Sequence, residues 1–316
     1  MSAYILYYHR IYPASPAPDV TLDLFEWQMK YLKKRYTILS LDELLAYIDG
    51  KVKLDRPGVA ITFDDGWFDN FVYAYPILKK YNIKATIFVS TGNIWDKRLV
   101  RKRIDEVADI SILDRPLTVA DGHLNALAGD RSQFLTWDEL REMQESGLVS
   151  VQSHGVTHRK VFSDDKSSGI LKEDSRWVYS SPLPGVALGE GIYPVKSGLV
   201  SRSFSPNVGS WESDEEMEKR IMGELAESRD RISTEIGVSP THLCWPWGEY
   251  NELSIELAAK AGYSACYTTE AGTVTVDSDR MAIPRVSSSG GKMKFIKRGL
   301  VYSNNILGKL YNRFFH

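Results

Sequence analysis

Short runs that are apolar on both faces alternate along this chain with stretches whose apolar residues recur at helical spacing. The first kind are Tyr4–His9, Val59–Phe63, Ala85–Val89, Val149–Ser153, His242–Trp245, Ala265–Thr268 and Ala282–Val286. Continuous apolarity over so few residues suits strands covered on both sides, as in a parallel sheet. The second kind predicts helices. Leu24–Arg35 carries Leu24, Trp27, Gln28, Tyr31 and Leu32 near helical spacing. Ser40 with Glu43, Thr136 with Glu139 and Ser213 with Glu216 are capping boxes that open three more helices. The last of these has Met217, Ile221, Leu225, Ile232 and Ile236 on one stripe and Gly237 as its stop. A further helix runs from Asn251 to Gly262. Repeated β–α units predict an α/β fold with a parallel sheet or barrel, and no internal repeat is visible.

Two stretches break the alternation. Residues 94–135 and 159–211 exceed the roughly 15 residues of an ordinary connection. The second holds Trp177, Tyr179, Tyr193, Phe204 and Trp211 among many Gly, Ser and Pro. It reads either as a small β-rich packing insert or as a wall whose aromatics stack on a sugar ring. The domain organisation expected is one catalytic unit over 1–316, with an insert at 159–211 and a basic tail at 292–316.

Composition narrows the class. The 316 residues carry 39 Lys+Arg against 41 Asp+Glu and are 43% hydrophobic, which excludes disorder and collagen-like repeats. No stretch of about 18 apolar residues is present to make a membrane-spanning helix. Only Cys244 and Cys266 occur, too few for a disulfide framework. A near-neutral balance argues against nucleic acid as a partner. The N-terminus enters an apolar strand at once, without the basic segment and cleavage site of a secretory leader, so a cytoplasmic protein is expected.

Candidate chemistry clusters at three predicted strand ends. Asp64, Asp65 and Gly66 follow Ile61-Thr62-Phe63. Neighbouring side chains of a continuing strand point to opposite faces, but Gly66 allows a turn that brings both acids to one cavity. Asp-Gly is equally a common turn signal. His154 and His158 follow Val149–Ser153, and two imidazoles so placed can converge on one cation. Imidazole with carboxylate suits zinc, and also iron, cobalt or nickel. Cys244-Trp245-Pro246-Trp247-Gly248 either ends a strand over packed aromatics or fixes a backbone N–H toward developing negative charge.

Together Thr62-Phe63-Asp64-Asp65-Gly66, His154-Gly155-Val156-Thr157-His158 and Pro246-Trp247-Gly248 resemble the polysaccharide deacetylases with a NodB-homology domain, carbohydrate esterase family four. Tyr8-His9-Arg10-Ile11 and Phe134-Leu135-Thr136-Trp137 look most like the branch that deacetylates poly-N-acetylglucosamine. The resemblance implies a distorted seven-stranded (β/α) barrel with a long insert. It implies one divalent metal, zinc first, held by Asp65, His154 and His158. It also implies Asp64 as catalytic base and the Trp247 N–H as a donor to the acetate oxygen. The implied reaction is hydrolytic N-deacetylation of an N-acetylated amino sugar in a saccharide. An O-acetyl esterase and an inactive carbohydrate-binding domain remain as alternatives.

The sequence departs from the family in two places. Many members supply a catalytic His from the last strand, which here reads Ala282-Ile283-Pro284-Arg285-Val286. His9, His242 or protonated Asp64 are the replacements to consider. The family's Arg before the Pro-aromatic-Gly turn is replaced by Cys244. Arg285 can supply that charge from a neighbouring strand, or pair with a surface acid.

Charge is distributed unevenly. The last 37 residues contain no Asp or Glu but eight bases, leaving the remainder at a formal −10. Ile306, Leu307, Leu310, Phe314 and Phe315 punctuate this tail. It reads as a helix packed on the barrel, or as a basic amphipathic helix in peripheral contact with an anionic membrane. A cytoplasmic enzyme so placed, at the inner membrane face, would act on a lipid-linked or nucleotide-linked saccharide of envelope polysaccharide synthesis.

Overall fold

The computed structural model describes residues 1–14, 20–173, 176–180 and 188–315. Its centre is a sheet of eight parallel strands: β1 (Ala3–Tyr8), β2 (Thr37–Leu39), β3 (Gly58–Phe63), β4 (Ala85–Val89), β5 (Val149–Ser153), β6 (His242–Cys244), β7 (Ala265–Tyr267) and β8 (Val286–Ser287). Seven of them lie in the order β7-β6-β5-β4-β3-β1-β8 and curl into a half-barrel, while β2 flanks the first half of β3. Every residue of β3 and β4 is buried, the doubly covered environment that their unbroken apolarity requires.

The two faces of β1 separate cleanly by the strand period. Ala3 and Ile5 point into the barrel with Ala60, Phe88 and Cys244. Tyr4, Leu6 and Tyr8 point outward onto Phe25, Met29 and Leu32 of helix α1 (Leu22–Arg35). The other helices are α2 (Leu41–Ile48), α3 (Tyr75–Tyr81), α4 (Val119–Leu127), α5 (Trp137–Glu145), α6 (Arg176–Ser180), α7 (Asp214–Ile236), α8 (Glu252–Lys260), α9 (Lys292–Tyr302) and α10 (Asn305–Phe315). All three expected capping boxes form, at the starts of α2, α5 and α7, and Gly237 closes α7 in the left-handed conformation.

The last strand differs from the expected Ala282–Val286. Ile283 makes one parallel bridge to Tyr267, and regular pairing with β1 begins only at Val286. Pro284 has no N–H to give to a ladder, so the strand is interrupted there. Within the insert, Lys160–Phe162 pairs with Val195–Ser197 and Phe204–Ser205 with Ser210–Trp211, as antiparallel ribbons outside the main sheet. The acid-free tail forms α9 and α10, with Asn312 of α10 donating to the Ala271 carbonyl.

Candidate active site

The carboxyl ends of parallel strands leave the next residues facing a common mouth, where such folds build sites. Here β3 delivers Asp64 and Asp65, β5 delivers His154 and then His158, and β6 delivers the Pro246–Gly248 turn. Asp65 lies at φ 73°, His158 at 51° and Trp247 at 65°. These left-handed backbones are costly for residues with a Cβ, and such strain persists only where surroundings enforce it. Gly66 follows at φ 84°, where an added Cβ would stand 2.8 Å from Ile94.

Asp64 and Asp65 diverge in their partners. Asp64 is gripped by Arg285 through two 2.7 Å hydrogen bonds, Nη1 to Oδ1 and Nη2 to Oδ2. Arg285 is fully buried and also donates to Thr62 Oγ1, the Thr268 carbonyl and Cys244 Sγ. It therefore occupies the interior beside Asp64 rather than a surface ion pair. Burial pushes the Asp64 carboxyl up, but the charge and hydrogen bonds of Arg285 outweigh it and hold the group below the usual range.

Asp65 turns the other way. Its Oδ2 accepts from Trp67 Nε1 at 2.9 Å. Its Oδ1 is buried without a hydrogen-bond partner, 3.5 Å from His154 Nε2 and 3.6 Å from His158 Nε2. His154 Nδ1 lies 2.8 Å from the Cys244 carbonyl, which fixes a proton there. Burial is outweighed by Cys244, Asp65 and Asp64, which raise its pKa well above the usual imidazole value, so Nε2 becomes a lone-pair donor when a cation displaces its proton. Burial drives His158 down to about 3, against the pull of Asp65, so its imidazole is neutral near pH 7. Burial opposes ionisation of Asp65, yet the imidazoles beside it, His154 first, hold its carboxyl well below the usual range.

This donor set fits a divalent cation. Ligands at about 2.0–2.2 Å from one zinc ion stand roughly 3.4 Å apart in a tetrahedron, close to the two separations at Asp65 Oδ1. An orphaned buried carboxylate oxygen facing two imidazole nitrogens is what a removed cation would leave. A second cluster, Asp64, His154 and Cys244, also lies within 4.8 Å. The Arg285 guanidinium already supplies positive charge there, and burial raises the Cys244 thiol, leaving it a poor ligand.

Several groups escaped the sequence reading. His123 of α4 lies within 4.8 Å of Asp65 and His158, measured between possible ligand atoms. Its ring stacks on Trp177, at 5.6 Å, and on His158. Arg10 ion-pairs with buried Asp69 at 2.9 Å and covers the Trp67 ring, so it holds the tryptophan that orients Asp65. Trp67 sits directly after the Asp-Asp-Gly turn, the one signal that marked it; nothing in the sequence placed His123.

The remaining expected residues divide. His9 follows β1 and lies close enough to influence both Asp64 and Asp65. Trp247 lies between its ring contacts with His158 and Trp177, and Lys160 covers its face. Trp177 therefore roofs the cleft. Tyr193 and Trp211 instead pack on Phe204 inside the insert, because that ribbon needs a core of its own. Tyr179 is half-buried on α6, and no described ring contact links it to the site. His242 lies at the opposite end of β6 from Cys244, with Nδ1 on Tyr267 and Nε2 on Asp42. Both nitrogens are committed away from the cleft, which corrects the expectation that His242 can supply the acid.

Comparison with known proteins places this geometry in context. The family model for polysaccharide deacetylases matches residues 51–266. The chain is 26% identical over 288 residues to YxkH of Bacillus subtilis (strain 168), covering 91% of this chain and 71% of that one. It is 25% identical over 260 residues to the poly-beta-1,6-N-acetyl-D-glucosamine N-deacetylase of Escherichia coli (strain K12), covering 82% of this chain but only 32% of that longer protein. The fold matches the de-N-acetylase from Aggregatibacter actinomycetemcomitans with a TM-score of 0.67 at 21% identity, covering 94% of this chain and 99% of that one.

Proposed function

The chain belongs to the polysaccharide deacetylase family, and we propose that it is a metal-dependent N-deacetylase of an N-acetylated amino sugar, releasing acetate. The observation that carries the metal dependence is the orphaned Asp65 Oδ1 facing two imidazole nitrogens. A divalent cation held by Asp65, His154 and His158 would supply Lewis acidity, polarising the amide carbonyl and making water nucleophilic near neutral pH. Zinc suits the ligands best, with cobalt, nickel and iron as substitutes.

The chain's own groups then divide the work. Asp64, ionised and fixed by Arg285, takes the proton of the attacking water. No described group accepts a hydrogen bond from the Trp247 amide, so it remains for the oxygen on which negative charge develops. His9, at the end of β1, protonates the leaving nitrogen, without which an amine leaves poorly. Trp177, which roofs the cleft, offers its ring to a sugar, whereas Trp247 is already covered by Trp177 and Lys160.

The outer face of α10 supports a peripheral contact with an anionic membrane. Ile306, Leu307, Leu310 and Phe314 are exposed and span an arc of about 100°. Lys309 and Arg313 border one edge of the stripe, whereas Asn312 reaches the barrel. An apolar stripe edged by bases is the pattern of a helix lying in an interface. The Phe315 side chain lies outside the described residues. No described helix is long and apolar enough to cross a membrane.

Acetate release from N-acetylglucosamine oligomers tests the reaction. We expect release that stops on chelation and returns with divalent metal. Release only from O-acetylated xylan would make the protein an esterase, and binding without release would make it a carbohydrate-binding domain.

A further inference from the structure

Beside the deacetylation site is a second cavity, of about 720 Å³, that the reaction does not use. It opens where the barrel is least closed, between the segment after β7 and the β8–β1 pair. Helices α9 and α10 wall its outer side. Lys294, Lys297 and Arg298 line it, with Tyr7, Tyr302 and Tyr311. Among the described lining residues Glu270 is the one carboxylate, and its Oε1 lies 3.5 Å from the Tyr250 hydroxyl. Among the described residues no carboxylate pairs with Lys294 or Arg298. Arg298 is held at the end of β8 by the Ser287 and Ser289 carbonyls, its Nη1 being 2.7 Å from the first.

Tyr7 is the wall shared with the catalytic centre. Its ring lies 5.0 Å from the Arg285 guanidinium carbon and 5.8 Å from the His9 ring. Thus one side chain stands between this basic lining and the Asp64–Arg285 pair. In a 2-acetamido sugar the acetamido carbon, C2, is bonded to the anomeric carbon, C1. A substrate whose acetamido group reaches the metal ligands would present its C1 substituent close by. A basic lining beside aromatic hydroxyls suits a phosphate ester rather than a neutral glycan.

We propose that this cavity is an anion subsite for a phosphate or diphosphate on the anomeric carbon of the amino sugar. The proposal rests on the deacetylase reading for its orientation, but not for anion binding itself. The phosphate can belong to a polyprenyl diphosphate sugar or to a nucleoside diphosphate sugar.

The test compares the metal-loaded full chain with the double variant Lys294→Ala/Lys297→Ala. Wild type should deacetylate N-acetylglucosamine 1-phosphate with kcat/KM about tenfold above that of the methyl glycoside, a factor that two solvent-accessible ion pairs can supply. The double variant should lose this preference and keep its rate on the methyl glycoside. Absence of preference in wild type, or equal loss on both substrates, would overturn the subsite. Calorimetric titration with inorganic pyrophosphate provides a readout independent of catalysis. Its binding should weaken about tenfold in the double variant and fall with added salt. Unchanged binding would place the anion on the metal and refute the proposal. If no amino sugar is deacetylated yet pyrophosphate binding depends on the lysines, the deacetylase reading fails and the subsite stands. Finally, a polyprenyl diphosphate sugar in vesicles is compared with a nucleoside diphosphate sugar. Whichever is faster identifies the carrier and supports the subsite if the double variant slows it; indifference of both to the variant overturns it.

Discussion

Replacing Arg285 by methionine removes the guanidinium that grips both oxygens of Asp64. The pair is buried on both sides, at 0% and 2% exposure, so solvent screens it little. Breaking one partner of a buried ion pair costs about 3–5 kcal/mol, because the other charge is left uncompensated. The Thr62, Thr268 and Cys244 acceptors also lose their donor. The sign of the pH effect follows from Asp64. In the wild type its carboxyl is depressed, so the pairing contributes stability above the usual carboxylate pKa and loses it as pH falls through the depressed value. Without Arg285 the burial that raises Asp64 is unopposed by that charge, and protonation moves to higher pH. The stability deficit of Arg285→Met should therefore be largest at neutral pH and narrow on acidification. Denaturant melts across pH measure it. The acidic limb of kcat/KM should move upward as well, since the base must be ionised. Adding Asp64→Asn should recover part of the stability, because no bare charge remains. Arg285→Lys keeps charge but not the two-pronged geometry, and should fall between. An Arg285→Met protein with full metal content and an unshifted acidic limb would refute the assignment of Asp64 as base.

Other outcomes follow from the same geometry. Asp64→Asn should retain metal and fold while losing a factor of about 10²–10⁴ in kcat, measured as acetate release; near-normal turnover would move the base elsewhere. His154→Ala, His158→Ala and Asp65→Asn should each lose metal in elemental analysis, whereas His123→Phe should retain it if His123 only packs on His158 and Trp177; metal loss in His123→Phe would make it a fourth ligand. Ile306→Glu/Phe314→Glu should abolish sedimentation with anionic vesicles without altering turnover of a soluble oligomer, and undiminished sedimentation would leave α10 as ordinary packing.

Six of the strands and the capped helices were legible because their signals are local, whereas Thr37–Leu39 was not expected as a strand and the last strand was placed too early. Apolar runs, capping boxes and Gly237 depend on residues within a few positions of one another. Helix α3 was not, since Phe71–Leu78 is buried all round and shows no polar stripe to reveal a helical period. The site was legible where chemistry-bearing residues adjoin a strand end, as with Asp64, Asp65, His154 and His158. The partner of Asp64 was not determined by sequence, because Arg285 meets it across 221 positions. His123 stayed hidden for the same reason, arriving on a helix in a stretch that showed no regular alternation. Tyr193 and Trp211 show the converse: an insert rich in aromatics spends some of them on its own packing.

The Asp-Asp-Gly turn illustrates what such a motif encodes. Adjacent residues in a strand face opposite ways, so two neighbouring carboxylates could not serve one site if β3 continued. Chain direction changes at Asp65, which is left-handed at φ 73°, followed by Gly66 at 84°. The turn sends Asp64 to Arg285 inside the barrel and Asp65 to the two imidazoles at the mouth. The same device recurs at Trp247 and Gly248, at 65° and 71°, where an added Cβ on the glycine would stand 2.0 Å from Thr269 Oγ1. Among the described residues five non-glycine positions have positive φ, and three of them, Asp65, His158 and Trp247, line the candidate site. At about 1–3 kcal/mol each, these conformations are sustained by the packing around them, with Arg10 on Trp67 and Trp67 on Asp65 as the visible chain of support. Two carboxylates with different electrostatic surroundings, one clamped by a guanidinium and one left open toward imidazoles, are thereby produced from consecutive residues.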